Sequence, residues 1–377
     1  MKRIYLSSPY THGEELEFVR EAFDSNWLAP AGANLDGLEA EIDAYIGRGA
    51  GRECRSLAVV SGTAALHLAL KLAGVGPGDT VLCSDSTYCA TAFPVSYEGG
   101  VQVFVDSERD SWNMDPRALE LAFRRHPGAR VVMFAHLYGT PGRMDELLDV
   151  CARHRAILVE DAAEALASSY RGRPCGTFGD YAAISFNGNK IITSSGGGML
   201  VTADGDARRR ALYLATQARD PVPWFEHREV GFNYRMSNVI AGIGRGQLLH
   251  LDEHRAMKRR IYETYRRGFE GLPVSMNPIP ADCEPNYWLS CLLIDRGAGV
   301  TPAEVLDRLR TEANAEGRPL WKPMSMQPVF AGRECVRLEE KSVGTDLYER
   351  GLCLPSDLHM DDDDMRLIID TVRKCFR

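Results

Sequence analysis

The chain contains ten cysteines, scattered from Cys54 to Cys375, and no Cys-x-x-Cys pair. That removes the usual spacing of zinc ribbons and dithiol redox sites. It leaves the thiols to be read as buried or idle side chains in a reducing compartment. Long apolar runs are also missing. No stretch approaches the roughly 18 apolar residues that span a bilayer. The opening Met1-Lys-Arg-Ile-Tyr-Leu-Ser-Ser-Pro9 has no apolar segment after its charges, so no secretory signal is read there. The expectation is a cytoplasmic protein, off the membrane. Positive charge is the smaller part: 44 Lys and Arg against 52 Asp and Glu give a net charge of −8. This argues against an extended nucleic-acid surface.

Two familiar motifs are absent as well. A phosphate-binding Walker loop needs Gly-Lys-Ser/Thr, but Asn189 precedes Lys190 and Ile191 follows it. A zinc-protease helix needs His-Glu-x-x-His, but Leu251-Asp-Glu253 stands between His250 and His254. Those histidines read as an exposed helix face, and no metal site is expected. Nor does any repeat or low-complexity linker divide the chain.

What is there is ordinary in bulk. With 377 residues, 45% hydrophobic and 25% charged, the chain is long enough for one large domain and a smaller one. Its most informative stretch is Ser185-Phe-Asn-Gly-Asn-Lys190, followed by Ile-Ile-Thr-Ser-Ser and Gly196 to Gly198. Tyr181 to Phe186 and Met199 to Thr202 flank it as buried strands. A lysine in a loop of small residues is either a solvated side chain or a Schiff-base lysine that a planar group approaches closely.

The remaining chain supplies the surroundings. Glu14 to Phe23 and Leu35 to Ile46 have helical periodicity, separated by the loop Ser25-Asn-Trp-Leu-Ala-Pro30. Ser56 to Val60 reads as a strand, Ser61-Gly-Thr63 as a turn and Ala64 to Leu72 as a helix. A helix that starts on small residues presents free N–H groups and a positive dipole end, with the Thr63 hydroxyl as a further donor. It is an anion site or an ordinary capped helix. Thr80 to Cys83 is a strand whose polar end carries Tyr88 into a helix, and Tyr88 is a stacking platform or a core aromatic. Val101 to Val105, Val131 to His136 and Ala156 to Glu160 are further strands, with a helix over Arg143 to Arg155. The alternation predicts an α/β fold: a large, mainly parallel sheet wrapped by helices. Ligands in such folds sit beyond the strands' carboxyl ends, where Asp161 is either a helix cap or a site residue. Helices are expected from Arg208 to about Thr216, Val239 to Leu249 and His250 to Phe269. Pro273 to Pro285 then breaks the chain and strand-like Trp288 to Ile294 opens a smaller C-terminal α/β domain, so the division expected is 1–249 and 250–377. Its helices are Pro302 to Ala315 and Met365 to Phe376, the latter opened by Asp361 to Asp364.

One cofactor accounts for an anion-binding helix start, an aromatic platform, a strand-end aspartate and a loop lysine together. Pyridoxal phosphate places its phosphate, ring face, ring nitrogen and aldehyde against those four groups. An aspartate about 4 Å from the ring nitrogen, at an effective dielectric near 20, contributes roughly 4 kcal/mol. That corresponds to about three pKa units.

The order and wording of these motifs resemble the DegT-type nucleotide-sugar aminotransferases, fold type I pyridoxal phosphate enzymes. The resemblance runs through Ser25-Asn-Trp-Leu-Ala-Pro, Ser61-Gly-Thr-Ala-Ala-Leu-His-Leu-Ala-Leu70, Glu160-Asp-Ala-Ala-Glu164, Gly231-Phe-Asn-Tyr-Arg-Met-Ser237 and Cys353-Leu-Pro-Ser356. The lysine loop resembles most the branch that aminates C4 of a UDP-linked 4-keto-6-deoxy-N-acetylhexosamine, on the way to bacillosamine. The resemblance implies that Lys190 bonds the cofactor and moves the proton, Asp161 pairs with the ring nitrogen, and Glu164 lies on the ring-oxygen side. It implies Thr63, Ala64 and Ser185 at the phosphate, Tyr88 on the ring, and Asn233 reaching the phosphate of the other subunit in a homodimer with shared sites. L-Glutamate is the implied amino donor. Arg235 and Lys322 are the candidate cations for the nucleotide diphosphate, with Trp27 and Trp321 against sugar or base. Relatives often read Trp-Lys-Pro-Met-His, whereas this chain has Ser325 in the last place. Alternatives stay open: a 3-keto UDP-sugar, a GDP-4-keto-sugar of perosamine type, or a non-catalytic regulator. The related dehydratases carry histidine where this chain has Lys190.

Overall fold

The computed structural model describes residues 2–377. Five-residue strands that are almost wholly apolar bury both faces, and that requires helices on both sides. Eight strands form the main sheet in the order Arg55–Val59, Gly198–Thr202, Tyr181–Ser185, Ile157–Asp161, Val131–Ala135, Thr80–Ser84, Val101–Val105 and Cys335–Val336. Only Gly198–Thr202 runs against the rest, antiparallel to both its neighbours. The period of two is visible in the cores. Val131 and Met133 pack on the face covered by the helix Gly62–Leu72. Val132 and Phe134 pack on the other face, with Phe123 and Leu147 of the helices Pro116–Arg125 and Met144–His154. The parallel register sets Ala135 beside Asp161 and Asp161 beside Ala183. The aspartate therefore stands at the carboxyl edge of the sheet.

The C-terminal part builds an antiparallel sheet from Val274–Met276, Cys291–Ile294, Gly351–Cys353 and Arg318–Pro319. It packs with the connecting helix Leu251–Gly268 and the helices Pro302–Glu312 and Asp362–Cys375. Asp361 caps the last helix in a reciprocal capping box with Asp364, the end favoured for acids. Two segments cross the division at residues 249 and 250. Cys335–Val336 pairs parallel with Val101–Val105 of the large sheet, and Ile4 packs in the C-terminal core.

Three expectations are corrected. Tyr88 leads into a short 3-10 turn, Cys89–Thr91, and then the single-turn helix Phe93–Tyr97, because Pro94 limits what precedes it. Pro116–Arg125 and Val343–Arg350 are helices that periodicity did not single out; Asp115 and Ser342 cap them. The histidine face of the connecting helix is not exposed: His254 is 1% exposed. His12, from the N-terminal segment, covers it and stacks on His250. Among the described residues no helix is long and apolar enough to cross a membrane.

Candidate active site

A cavity of about 510 Å³ opens at the carboxyl edge of the main sheet, lined in part by Thr63, Tyr88, Asp161, Glu164, Ser185 and Lys190. Six sequence-predicted residues from four segments thus meet in one place, as does Trp321.

Lys190 is carried on a turn closed by its own N–H donating to the Asn187 carbonyl at 3.0 Å. Its Nζ lies 3.5 Å from Glu164 Oε1 and 4.1 Å from the centroid of the Trp288 ring. The Lys190 side chain is 11% exposed. The second Glu164 oxygen accepts the Tyr138 N–H at 2.7 Å. Burial pushes the Glu164 carboxyl up to about 7, against the opposing pull of Lys190. Asp161 is buried too, and burial raises its pKa, while hydrogen bonds hold the charged form in place. The Thr91 hydroxyl donates to it at 2.7 Å and the Ala163 N–H at 3.1 Å.

The helix start is built for close approach. Ser61 caps Gly62–Leu72, its Oγ accepting the Ala64 N–H at 3.0 Å. Gly62 and Thr63 precede the first intrahelical donor, so their N–H groups face the cavity end without a helical partner. Ala64, expected at the phosphate, is buried and its N–H is already taken. Gly198 passes so near that a Cβ there would lie 2.4 Å from the Gly62 nitrogen. Ser185 Oγ accepts the Asn187 N–H at 3.3 Å.

Tyr88 and Trp321 form an aromatic corner, with ring centroids 5.4 Å apart. The other predicted residues lie elsewhere. Arg235 does not reach the cavity: its guanidinium is closed on Glu39 and donates to the Ala58 carbonyl at 2.8 Å, which neutralises it. Besides Lys190, Arg318 is a cation that does line the cavity. Lys322 is half-buried outside the lining, and its backbone carbonyl accepts from Gln327 Nε2 at 3.0 Å. Trp27 and Asn233 are exposed and outside the lining; Asn233 accepts from Gln217 at 3.0 Å. Ser325 turns inward, donating N–H and Oγ–H to the buried Asp85 at 2.7 and 2.8 Å.

Sequence reasoning missed Thr91, Trp288 and Arg318. Thr91 had a signal, since it closes the turn that Tyr88 begins. Trp288 and Arg318 arrive from the C-terminal part, and nothing local marks them.

The donor set fits pyridoxal phosphate: a lysine amine, a buried carboxylate at a strand end, an aromatic corner, and helix N–H groups left open. The matched family model agrees. Residues 9–373 match the DegT/DnrJ/EryC1/StrS aminotransferase family, and the chain belongs to it, a family of pyridoxal phosphate-dependent enzymes. It is 43% identical to EpsN of Bacillus subtilis (strain 168), which carries the name of a pyridoxal phosphate-dependent aminotransferase, over 100% of this chain and 96% of that one. It is 35% identical to the GDP-perosamine synthase of Caulobacter vibrioides over 88% of each chain. Among solved structures, the aminotransferase TlmJ from Streptoalloteichus hindustanus superposes with a TM-score of 0.87 at 30% identity, covering 98% of both chains.

Proposed function

We propose that this aminotransferase moves the amino group of L-glutamate to C4 of a UDP-linked 4-keto-6-deoxy-N-acetylhexosamine. The observation that carries the reaction type is Lys190, its amine 3.5 Å from Glu164 in a cavity that also holds the buried Asp161. Pyridoxal phosphate, when bound, supplies the electron sink for the carbon that loses its proton. This chain's residues supply the rest. Asp161 carries the negative charge that favours a protonated ring nitrogen, and Thr91 and Ala163 keep that carboxylate aimed. Gly62, Thr63 and Ser185 offer donors for the phosphate, and Tyr88 a ring face. Lys190 takes and returns the proton at the reacting carbon, close enough to Glu164 to share it. Glutamate leaves as 2-oxoglutarate, and its amino group replaces the keto oxygen of the sugar.

The wording Asn187-Gly-Asn-Lys-Ile-Ile-Thr193 supports the UDP sugar. The identity to a GDP-perosamine synthase favours a second reading, a GDP-linked 4-keto sugar. Both are C4 aminations that differ in the base and the sugar, and Arg318 and Trp321 in the cavity lining support a nucleotide contact. The partner subunit completes the site in this reading, with Asn233 crossing to the neighbour's phosphate. The exposed Leu16, Phe23, Trp224, Phe225 and Val230 support such an interface. Ten free thiols support a reducing, cytoplasmic setting.

The test offers 4-keto and 3-keto UDP-sugars and a 4-keto GDP-sugar, each with glutamate, and reads products by mass spectrometry. Turnover of the 4-keto UDP-sugar is expected. Turnover of the GDP or 3-keto compound alone overturns the substrate. Lys190→Ala should lose both turnover and the visible absorption band of lysine-bound cofactor; normal transamination in that variant would falsify the role given to Lys190.

A further inference from the structure

Lys190 has a chain neighbour on each side, and both neighbours have their carbonyls held by other parts of the protein. The Asn189 carbonyl accepts the Trp288 indole N–H at 2.6 Å and the Ser7 hydroxyl at 3.1 Å. The Ile191 carbonyl accepts from His254 Nδ1 at 2.9 Å. Ser7 Oγ in turn accepts from Lys258 Nζ at 3.0 Å. His254 and Lys258 are four residues apart on the connecting helix Leu251–Gly268, so they share one face. They are 1% and 2% exposed.

Polar groups are costly at such positions unless they are bonded. A leucine and a methionine would fill the same helix face without that cost. Burial pushes Lys258 down to about 7, opposed only by Asp357. Its amine donates to two acceptors, Ser7 Oγ and the Ser356 carbonyl. A carbonyl only accepts, so the His254 proton is on Nδ1. Its bare Nε2 then accepts from His12 Nε2, 2.8 Å away. Burial also lowers His254, against the Ile191 hydrogen bond that favours its charged form. Both side chains are therefore hydrogen-bonded despite their burial, and each reaches the Lys190 turn directly or through one hydroxyl.

We infer that the connecting helix is a two-point clamp on the Lys190 turn. His254 fixes the Ile191 carbonyl and Lys258, through Ser7, fixes the Asn189 carbonyl, so both are positioning residues for the reactive lysine. The clamp holds the Nζ between Glu164 and the Trp288 ring. Because this helix leads into the C-terminal sheet, a shift of that sheet is felt at the lysine through two short hydrogen-bonded paths. This inference rests on the proposed role of Lys190.

The test compares Ser7→Ala, His254→Leu and His254→Asn with the wild-type full-length chain. Asn keeps an amide nitrogen near the place of Nδ1. In cofactor-free protein, hydrogen exchange across residues 187–192 should be about ten-fold faster in Ser7→Ala and His254→Leu, and nearer wild type in His254→Asn. In loaded protein, the pH midpoint of the visible band should move by about half a unit or more. There kcat should fall about ten-fold with KM little changed. If His254→Leu does not fold, Ser7→Ala decides, since it deletes one half-buried hydroxyl. Wild-type exchange and an unmoved midpoint in folded variants overturn the clamp. If the wild-type band survives Lys190→Ala, the role of Lys190 falls instead, and the cofactor-free exchange still decides the clamp.

Discussion

Asp161 ends its strand and Glu164 stands three residues on, in the turn that follows, and their surroundings prepare them differently. Asp161 receives two hydrogen bonds that favour its charged form, whereas Glu164 has one N–H and a lysine. Asp161→Asn keeps the shape and removes the charge. Its turnover should fall at least about a hundred-fold, near 3 kcal/mol, with melting temperature little changed; wild-type kinetics in this variant place the ring-nitrogen partner elsewhere. Glu164 gives a pH signature in cofactor-free protein. Its carboxyl stands at about 7, above the ordinary 4.5, so the folded chain holds a proton that the unfolded chain has lost. That contribution is fully present below about pH 4.5 and disappears as pH rises through 7, at most about 3 kcal/mol in all. Glu164→Gln should flatten this part of the melting-temperature profile. Parallel profiles for variant and wild type would refute the shift.

At the scale of elements, Gly198–Thr202 approaches the helix start whose Ser61, Gly62 and Thr63 line the cavity. A methyl at residue 198 meets the Ser61 carbonyl carbon at 2.5 Å as well as the Gly62 nitrogen. Both are backbone, so neither can rotate away. Gly198→Ala should therefore destabilise the fold by about 1–3 kcal/mol and weaken cofactor binding, read by equilibrium dialysis; an unchanged dissociation constant would show that the helix start is free to move. The three trailing glycines were visible in the sequence as a place for close approach, and so were the strands around Lys190, because apolar runs bounded by polar turns leave little choice. The aromatic and cationic walls were less legible. Trp288 and Arg318 come from the C-terminal part and Thr91 from a turn, and their placement depends on tertiary contacts that local periodicity does not encode. Arg235 shows the converse. Its charge looked available in the sequence, but Glu39 on the helix Ala33–Gly47 takes it.

For the whole molecule, the exposed aromatic and aliphatic side chains matter more than any internal feature. Phe225 and Val230 are 80% and 83% exposed, on the loop that precedes Asn233. A chain that leaves such residues in water is expected to cover them with a second copy. Mixing inactive Lys190→Ala chains with inactive Asn233→Ala chains should restore up to about a quarter of wild-type activity, since hybrid dimers carry one intact shared site. An active monomer in sedimentation would remove the shared site.

The strand Cys335–Val336 carries a consequence for synthesis on the ribosome. It closes the open flank of Val101–Val105, yet more than two hundred residues separate the two in the chain. Until residue 336 has emerged from the exit tunnel, the nascent sheet presents an unpaired parallel edge, the kind that recruits other chains. A fragment ending at residue 249 should therefore accumulate in inclusion bodies, even though seven strands of the main sheet are already present in it. Co-expression of residues 250–377 would then act as a chaperone in trans by capping that edge.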